Sequence, residues 1–177
     1  MMRDINTSPT PVKLFTGMLA REDSLFTEIE KKMKDLFGPI DIKSESHLWK
    51  RTSYYEKEMG PDLKRKFLFF EKLICPGEIA DIKLQTVEIE KQYLNEKGGR
   101  KINIDPGYLD AAKLVLASTK NFSHRIYLDK GIYAEATLIY SGNDYLILPY
   151  TYPDFRRTEY LDLFKKVREL FKRPVSR

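Results

Sequence analysis

The placing of glycine and proline constrains this chain more than any other feature. Gly38-Pro39, Gly60-Pro61, Pro76-Gly77, Gly98-Gly99, Gly131 and the run SGND (141–144) all interrupt otherwise regular patterns. Proline lacks a backbone donor and glycine tolerates positive φ, so elements stop at such points. What remains between them is alternately of strand and helix length. KLFTGMLA (13–20) is a short apolar run and reads as a strand. Asp23 then caps a helix whose Leu25, Phe26, Ile29, Met33, Leu36 and Phe37 recur at three- and four-residue spacing up to Gly38. IDIKSESHLW (40–49) alternates and predicts one strand, followed by a polar loop over 50–62. KRKFLFFEKLI (64–74) is apolar on both faces inside, which predicts a strand covered on both sides. Ile79, Ile82, Thr86, Ile89 and Tyr93 mark a helix over 78–95, and KINI (101–104) a strand.

This order, β-α-β-β-α-β, is that of the ferredoxin-like arrangement. Asp105-Pro106-Gly107 is suited to cap one helical turn, while KLVLAST (113–119) favours a strand, so residues 106–119 stay open between helix and strand. SHRIYL and GIYAEATLIY predict a hairpin through the three-residue loop Asp129-Lys130-Gly131, and SGND leads into YLILPY. Leu161, Phe164, Val167, Leu170 and Phe171 predict a final helix over 158–172, with Pro174 beyond it. The expected fold is therefore α+β: a ferredoxin-like half extended by an antiparallel β-meander and a C-terminal helix.

A chain of 177 residues is the size of one domain, expected over 12–177 behind a disordered, proline-bearing arm at 1–11. No apolar run approaches the ~20 residues of a spanning helix. The start lacks the apolar core of a signal peptide, so a cytoplasmic protein is expected, with no membrane partner. The single cysteine, Cys75, excludes an internal disulfide and a cysteine-rich metal site. The net charge of +5 permits phosphate or nucleic-acid ligands without requiring them.

Several strings resemble the small prokaryotic domain-of-unknown-function family 4416. They are PVKLFTGML, TSYYEKEMG (52–60), RKINIDPGYL (100–109), STKNFSHRIYLDKGIYAEATLIY (118–140) and LPYTYPDFR (148–156), with Tyr150 where the family favours Trp. The resemblance implies a single-domain protein of unassigned biochemistry.

Residues 101–140 concentrate polar groups on segments that otherwise read as strand. Thr119, Lys120, His124 and Arg125 form a candidate grip on a phosphate or carboxylate, with Arg125 able to bind in a bidentate manner. Tyr108, Tyr127, Tyr133 and Arg156 complete the candidate ligand-binding set, and His124, Glu135 and Asp105 the candidate catalytic one. The plainer reading has Lys120 solvated, Arg125 paired with Asp129 and His124 structural. Tyr133, Glu135 and Thr137 then form a solvent-exposed face, and Asp105 merely fixes a turn. No G-x-x-x-x-G-K-[ST] or N-K-x-D string occurs, and neither His47 nor His124 sits in an H-x-[ST] motif. No metal site and no cofactor are expected. The leading expectation is a phosphate-bearing small molecule, a nucleotide foremost, bound at one end of the sheet, with or without acid–base catalysis. One alternative is a module for single-stranded RNA, with Tyr54, Tyr55, Tyr152 and Phe155 stacking on bases while Arg65, Arg156 and Arg157 touch phosphates. Another is a protein–protein adaptor without a small ligand.

Overall fold

The computed structural model describes residues 9–49 and 55–172. The polar arm expected at 1–11 therefore falls largely outside the described residues, as do Tyr54 and Pro174. In chain order the elements are β1 (Val12–Ala20), α1 (Asp23–Phe37), β2 (Ile40–Lys43), β3 (His47–Leu48), α2 (Glu56–Met59), β4 (Lys64–Ile74), a 3-10 turn at Pro76–Glu78, and α3 (Ile79–Lys91). They continue with β5 (Ile102–Leu109), β6 (Lys113–Ser118), β7 (Ile126–Asp129), β8 (Ile132–Ser141), β9 (Asp144–Ile147) and α4 (Thr158–Lys172). The class is mixed α and β: among the described residues, four helices accompany one sheet of nine antiparallel strands.

The sheet runs β2-β4-β1-β5-β6-β8-β7, with β3 also pairing β4 and β9 also pairing β8. β1 is buried along its whole length, and its side chains alternate between two cores. Val12, Leu14, Met18 and Ala20 meet Phe26, Ile29 and Met33 of α1 and Ile79, Ile82 and Ile89 of α3. Phe15 points the other way, into a cluster with Phe67, Phe69, Phe155, Tyr160 and Phe164 beneath α4. β4 lies inside the sheet, and its run of four buried residues, Phe67 to Phe70, supplies both cores in turn.

Three expected elements are corrected first. Residues 40–49 form two short strands because Ser44 interrupts the ladder: its N–H donates to the Phe67 carbonyl and its hydroxyl accepts from the Phe67 N–H, both at 2.9 Å. Pairing with β4 then resumes at His47. The third helix stops at Lys91, and Asn95 organises the turn after it by accepting from the N–H groups of Lys97 and Gly99. Asp105-Pro106-Gly107 caps no helical turn. These residues continue β5, opposite Gly17, Thr16 and Phe15 of β1.

The loop of the β7–β8 hairpin has two residues rather than three, since Asp129 already pairs with Ile132. Lys130 and Gly131 have φ of 51° and 78°, the two positive values that suit the twist of a tight hairpin. Gly142 and Asn143 repeat the arrangement before β9, at 59° and 66°.

Gly107 is needed for a different reason, close approach. A Cβ there would lie 2.2 Å from the Val115 carbonyl oxygen and 2.6 Å from the Phe15 ring. Gly107→Ala is expected to cost roughly 3 kcal/mol, the upper end of overpacking penalties, because backbone must move. A fall in the denaturant midpoint measures it, and an unchanged midpoint would show that β6 yields freely. No helix among the described residues is long and apolar enough to cross a membrane.

Candidate functional site

Register places a row of charged side chains across one end of the sheet, on the α4 face. Arg65 of β4 stands opposite Leu19, and on β5 Asn103 stands opposite Leu19 and Asp105 opposite Gly17. Gly17 contributes no side chain, so Arg65 reaches over it, its Nη1 lying 3.3 Å from where a Cβ would be. Beyond Asp105 the sheet divides. β5 pairs with β6 only from Gly107 to Leu109, and the edge of β5 next to the gap is satisfied by side chains. The Ile104 N–H donates to Glu90 Oε1 at 2.6 Å, and its carbonyl accepts from Lys83 Nζ at 2.7 Å. Ile79, Lys83, Thr86 and Glu90 recur at helical spacing on the buried side of α3, so one helix face supplies both charged groups.

Asp105 sits at the mouth of this division. Asn103 Nδ2 donates to its Oδ2 at 2.7 Å. Lys83 Nζ and Arg65 Nη1 flank it at 3.5 Å each. Burial opposes its charged form, but Lys83, Arg65, the Asn103 amide and Arg100 outweigh that cost and hold the carboxyl below the ordinary aspartate range. Arg65 is almost fully buried. Its Nε donates to Asp154 Oδ2 at 2.7 Å, and its Nη1 makes no hydrogen bond among the described residues. Arg100 binds Glu58 through Nε and Nη2, and reaches Glu90 and Asn103 through Nη1. Burial, with help from Asp105, pushes the Glu90 carboxyl up against the pull of Lys83, the Ile104 amide and Arg100. Burial also raises Tyr55 and Tyr152, so both phenols remain protonated donors.

A second group lies on β6 to β8. Glu135 is buried, which corrects the expectation of a solvent-exposed Tyr133–Glu135–Thr137 face. Segment 148–157 crosses that face. Thr151 Oγ1 donates to the Thr137 carbonyl at 2.5 Å, and Tyr152 OH accepts from Arg125 Nη2 at 2.6 Å. The partner of Arg125 is Glu135, at 2.7 Å from Nε, and not the neighbouring Asp129. Its Nη1 donates to Ser118 Oγ and to the Lys120 carbonyl. Four of the five guanidinium N–H groups are thus bound within the protein. His124 Nε2 lies 3.1 Å from Glu135 Oε2, and its ring stacks on Tyr150 at 4.1 Å and 9°.

The structure therefore brings His124, Arg125 and Glu135 together, while Asp105 belongs to the separate group of Arg65, Lys83 and Asn103. Tyr127 and Tyr133 meet edge to face at 5.4 Å beside them. Thr119 and Lys120 are exposed at the edge of this group. Tyr108 is separate, partly buried against the core under α1 and α3. Arg156 is separate too, donating to the carbonyls of Thr151 and Pro149. Sequence reasoning missed Lys83, Glu90, Asn103, Arg100 and Glu58. The helical spacing of Lys83 and Glu90 with Ile79 was the one available signal.

On the other side of segment 148–157 a cleft of ≈ 710 Å³ opens between β3 and the first turn of α4. His47, Trp49, Arg65, Asp154, Arg156 and Arg157 are among its walls. Arg157 donates to the Leu48 carbonyl and to Glu159, whose carboxyl it holds down at about 2. Among the described residues no three His, Cys, Asp or Glu side chains gather as a metal ion would need.

No curated protein and no solved structure matches the chain. A family model described as a domain of unknown function matches residues 10–171. With that match spanning nearly the whole sequence, the chain belongs to the DUF4416 family.

Proposed function

We propose that the protein binds a phosphate-bearing small molecule, a nucleotide foremost, in the cleft between β3 and α4. One observation carries this reading: Arg156, Arg157 and His47 line a single cleft at the first turn of a 15-residue helix. The volume of ≈ 710 Å³ suits a ligand of nucleotide size. Arg156 spends Nε and one Nη2 proton on backbone carbonyls, which leaves its Nη1 donors for an anion. The positive end of the α4 dipole adds to them, and Trp49 offers an aromatic surface. Glu159, exposed and paired with Arg157, is the anion that a phosphate displaces. Asp154 is neutralised from behind by Arg65.

The scaffold in this reading is a ferredoxin-like unit from β1 to β5. The antiparallel order β2-β4-β1-β5, with α1 and α3 against one face, supports it. The small-molecule reading is favoured over single-stranded RNA because Phe155, one of the rings that would stack on bases, is buried in the aromatic core, and the hydroxyl of Tyr152 is bound to Arg125.

Thermal denaturation in the presence of nucleotides and sugar phosphates tests the proposal. A ligand at 100 times its dissociation constant stabilises by ~2.7 kcal/mol, which raises Tm by roughly 5–10 °C in a chain of this size. The shift is expected to vanish in the double variant Arg156→Gln/Arg157→Gln. No shift with any phosphate compound, or an equal shift in the variant, would reject the cleft.

A further inference from the structure

We infer that Asp105 is the centre of a second ligand site, separate from the arginine cleft, which takes the hydrogen-bond-donor group of a small molecule: a hydroxyl or a primary ammonium.

The division between β5 and β6 is the first support. A hairpin continuing to Asp105 would satisfy Ile104 with backbone at no electrostatic cost. Instead Glu90 and Lys83, both almost fully buried, are brought from α3 to do it. Burying charge is unfavourable unless something is gained by it, and what this arrangement leaves beside the break in pairing is a partly exposed carboxylate.

The state of that carboxylate is the second. An ionised carboxylate has about four acceptor positions, and Asp105 receives one hydrogen bond among the described residues, from Asn103. Lys83 and Arg65 stop at 3.5 Å, close enough to favour its charge and too long to occupy its lone pairs well. Arg65 Nη1 is buried, makes no hydrogen bond among the described residues, and lies 3.5 Å from the same oxygen that Asn103 holds. The two cations are only 5–6% exposed, whereas 27% of the Asp105 side chain is open. The group that a ligand meets is therefore the anion, with its cations behind it. A phosphate is repelled there, and a donor is accepted. Arg65 stands between the two sites, with Nε bound to Asp154 of the cleft wall and Nη1 lying 3.5 Å from Asp105 without a hydrogen bond.

Saturation-transfer NMR on the full chain, with methyl riboside in one arm and methylammonium in the other, tests this and separates hydroxyl from ammonium. Transfer to at least one probe is expected, with at least a tenfold weaker response in Asp105→Asn. In the wild type that probe should shift the amide signals of Asn103 to Asp105, a readout that holds even if the variant folds poorly. Transfer to neither probe, shifts confined to other residues, or full retention by a folded Asp105→Asn would overturn the site. Because the probes carry no phosphate, failure here leaves the arginine cleft standing, and failure of nucleotides to bind leaves this site standing.

Discussion

Glu135→Ala is expected to lower stability by about 3–5 kcal/mol, the range for removing one partner of a buried ion pair. The carboxylate is 1% exposed and Arg125 is 5% exposed, so water cannot take over when the partner goes. Three groups lose an acceptor together: Arg125 Nε at 2.7 Å, His124 Nε2 at 3.1 Å and Thr137 Oγ1 at 3.1 Å. For a chain of this length the loss corresponds to a fall in Tm of roughly 6–20 °C. The charge itself is the cause, so removing both ends should restore part of the loss. Glu135→Leu combined with Arg125→Met is expected to be more stable than Glu135→Leu alone. Recovery stays partial, since the contacts of Arg125 with Ser118 and Tyr152 are gone as well. A double-mutant cycle from thermal melts gives the coupling. A single-variant loss under about 1 kcal/mol would mean that the pair is compensated by solvent after all.

Phe67→Ala should cost a similar amount, about 3–5 kcal/mol, through packing rather than charge. The ring is fully buried and meets Tyr160, Phe155 and Phe164 edge-on at 4.8, 5.1 and 5.2 Å. Gly17 stands directly opposite, and a Cβ there would approach the ring to 2.9 Å. The absence of that Cβ is what leaves room for the ring over β1. Truncation leaves a cavity between β1, segment 148–157 and α4, three parts with no common means of closing on it. Denaturant titration measures the effect, with Phe67→Leu expected to lose less. Equal losses for the two variants would show that edge-to-face contact, not volume, dominates.

The parts of this molecule that could be read in its sequence are those set by near neighbours. The stripe Leu161–Phe164–Val167 is helical in α4, and Gly131 turns the β7–β8 hairpin. What could not be read depends on partners far along the chain. Asp105-Pro106-Gly107 has the composition of a helix cap, yet β1 lies some ninety residues earlier and holds it extended. Glu135 alternates as a surface residue should, but Thr151 and Tyr152 return to cover it. For Arg125 the nearest acid in sequence is Asp129, whereas the nearest in space lies across the hairpin. The candidate site shows the same division. His124, Arg125 and Glu135 stood out as an unusual concentration of polar groups and do converge. Lys83 and Glu90 offer no signal beyond their spacing on α3, and only the gap beside Ile104 gives them their place.

Segment 148–157 has a mechanical consequence. A sheet divided between β5 and β6 would ordinarily fray there, its outer meander free to detach while the inner strands persist. Here the same short stretch is fastened to β8 through Thr151, to Arg125 beside β7 through Tyr152, and to β4 through Asp154. Detaching the meander tears this strap from one anchorage or the other and uncovers Phe155 as it goes. The two halves are therefore expected to share one opening free energy and to exchange their amide protons as a single cooperative unit. The seam beside Asp105 is bridged from outside by a segment anchored on both of its sides.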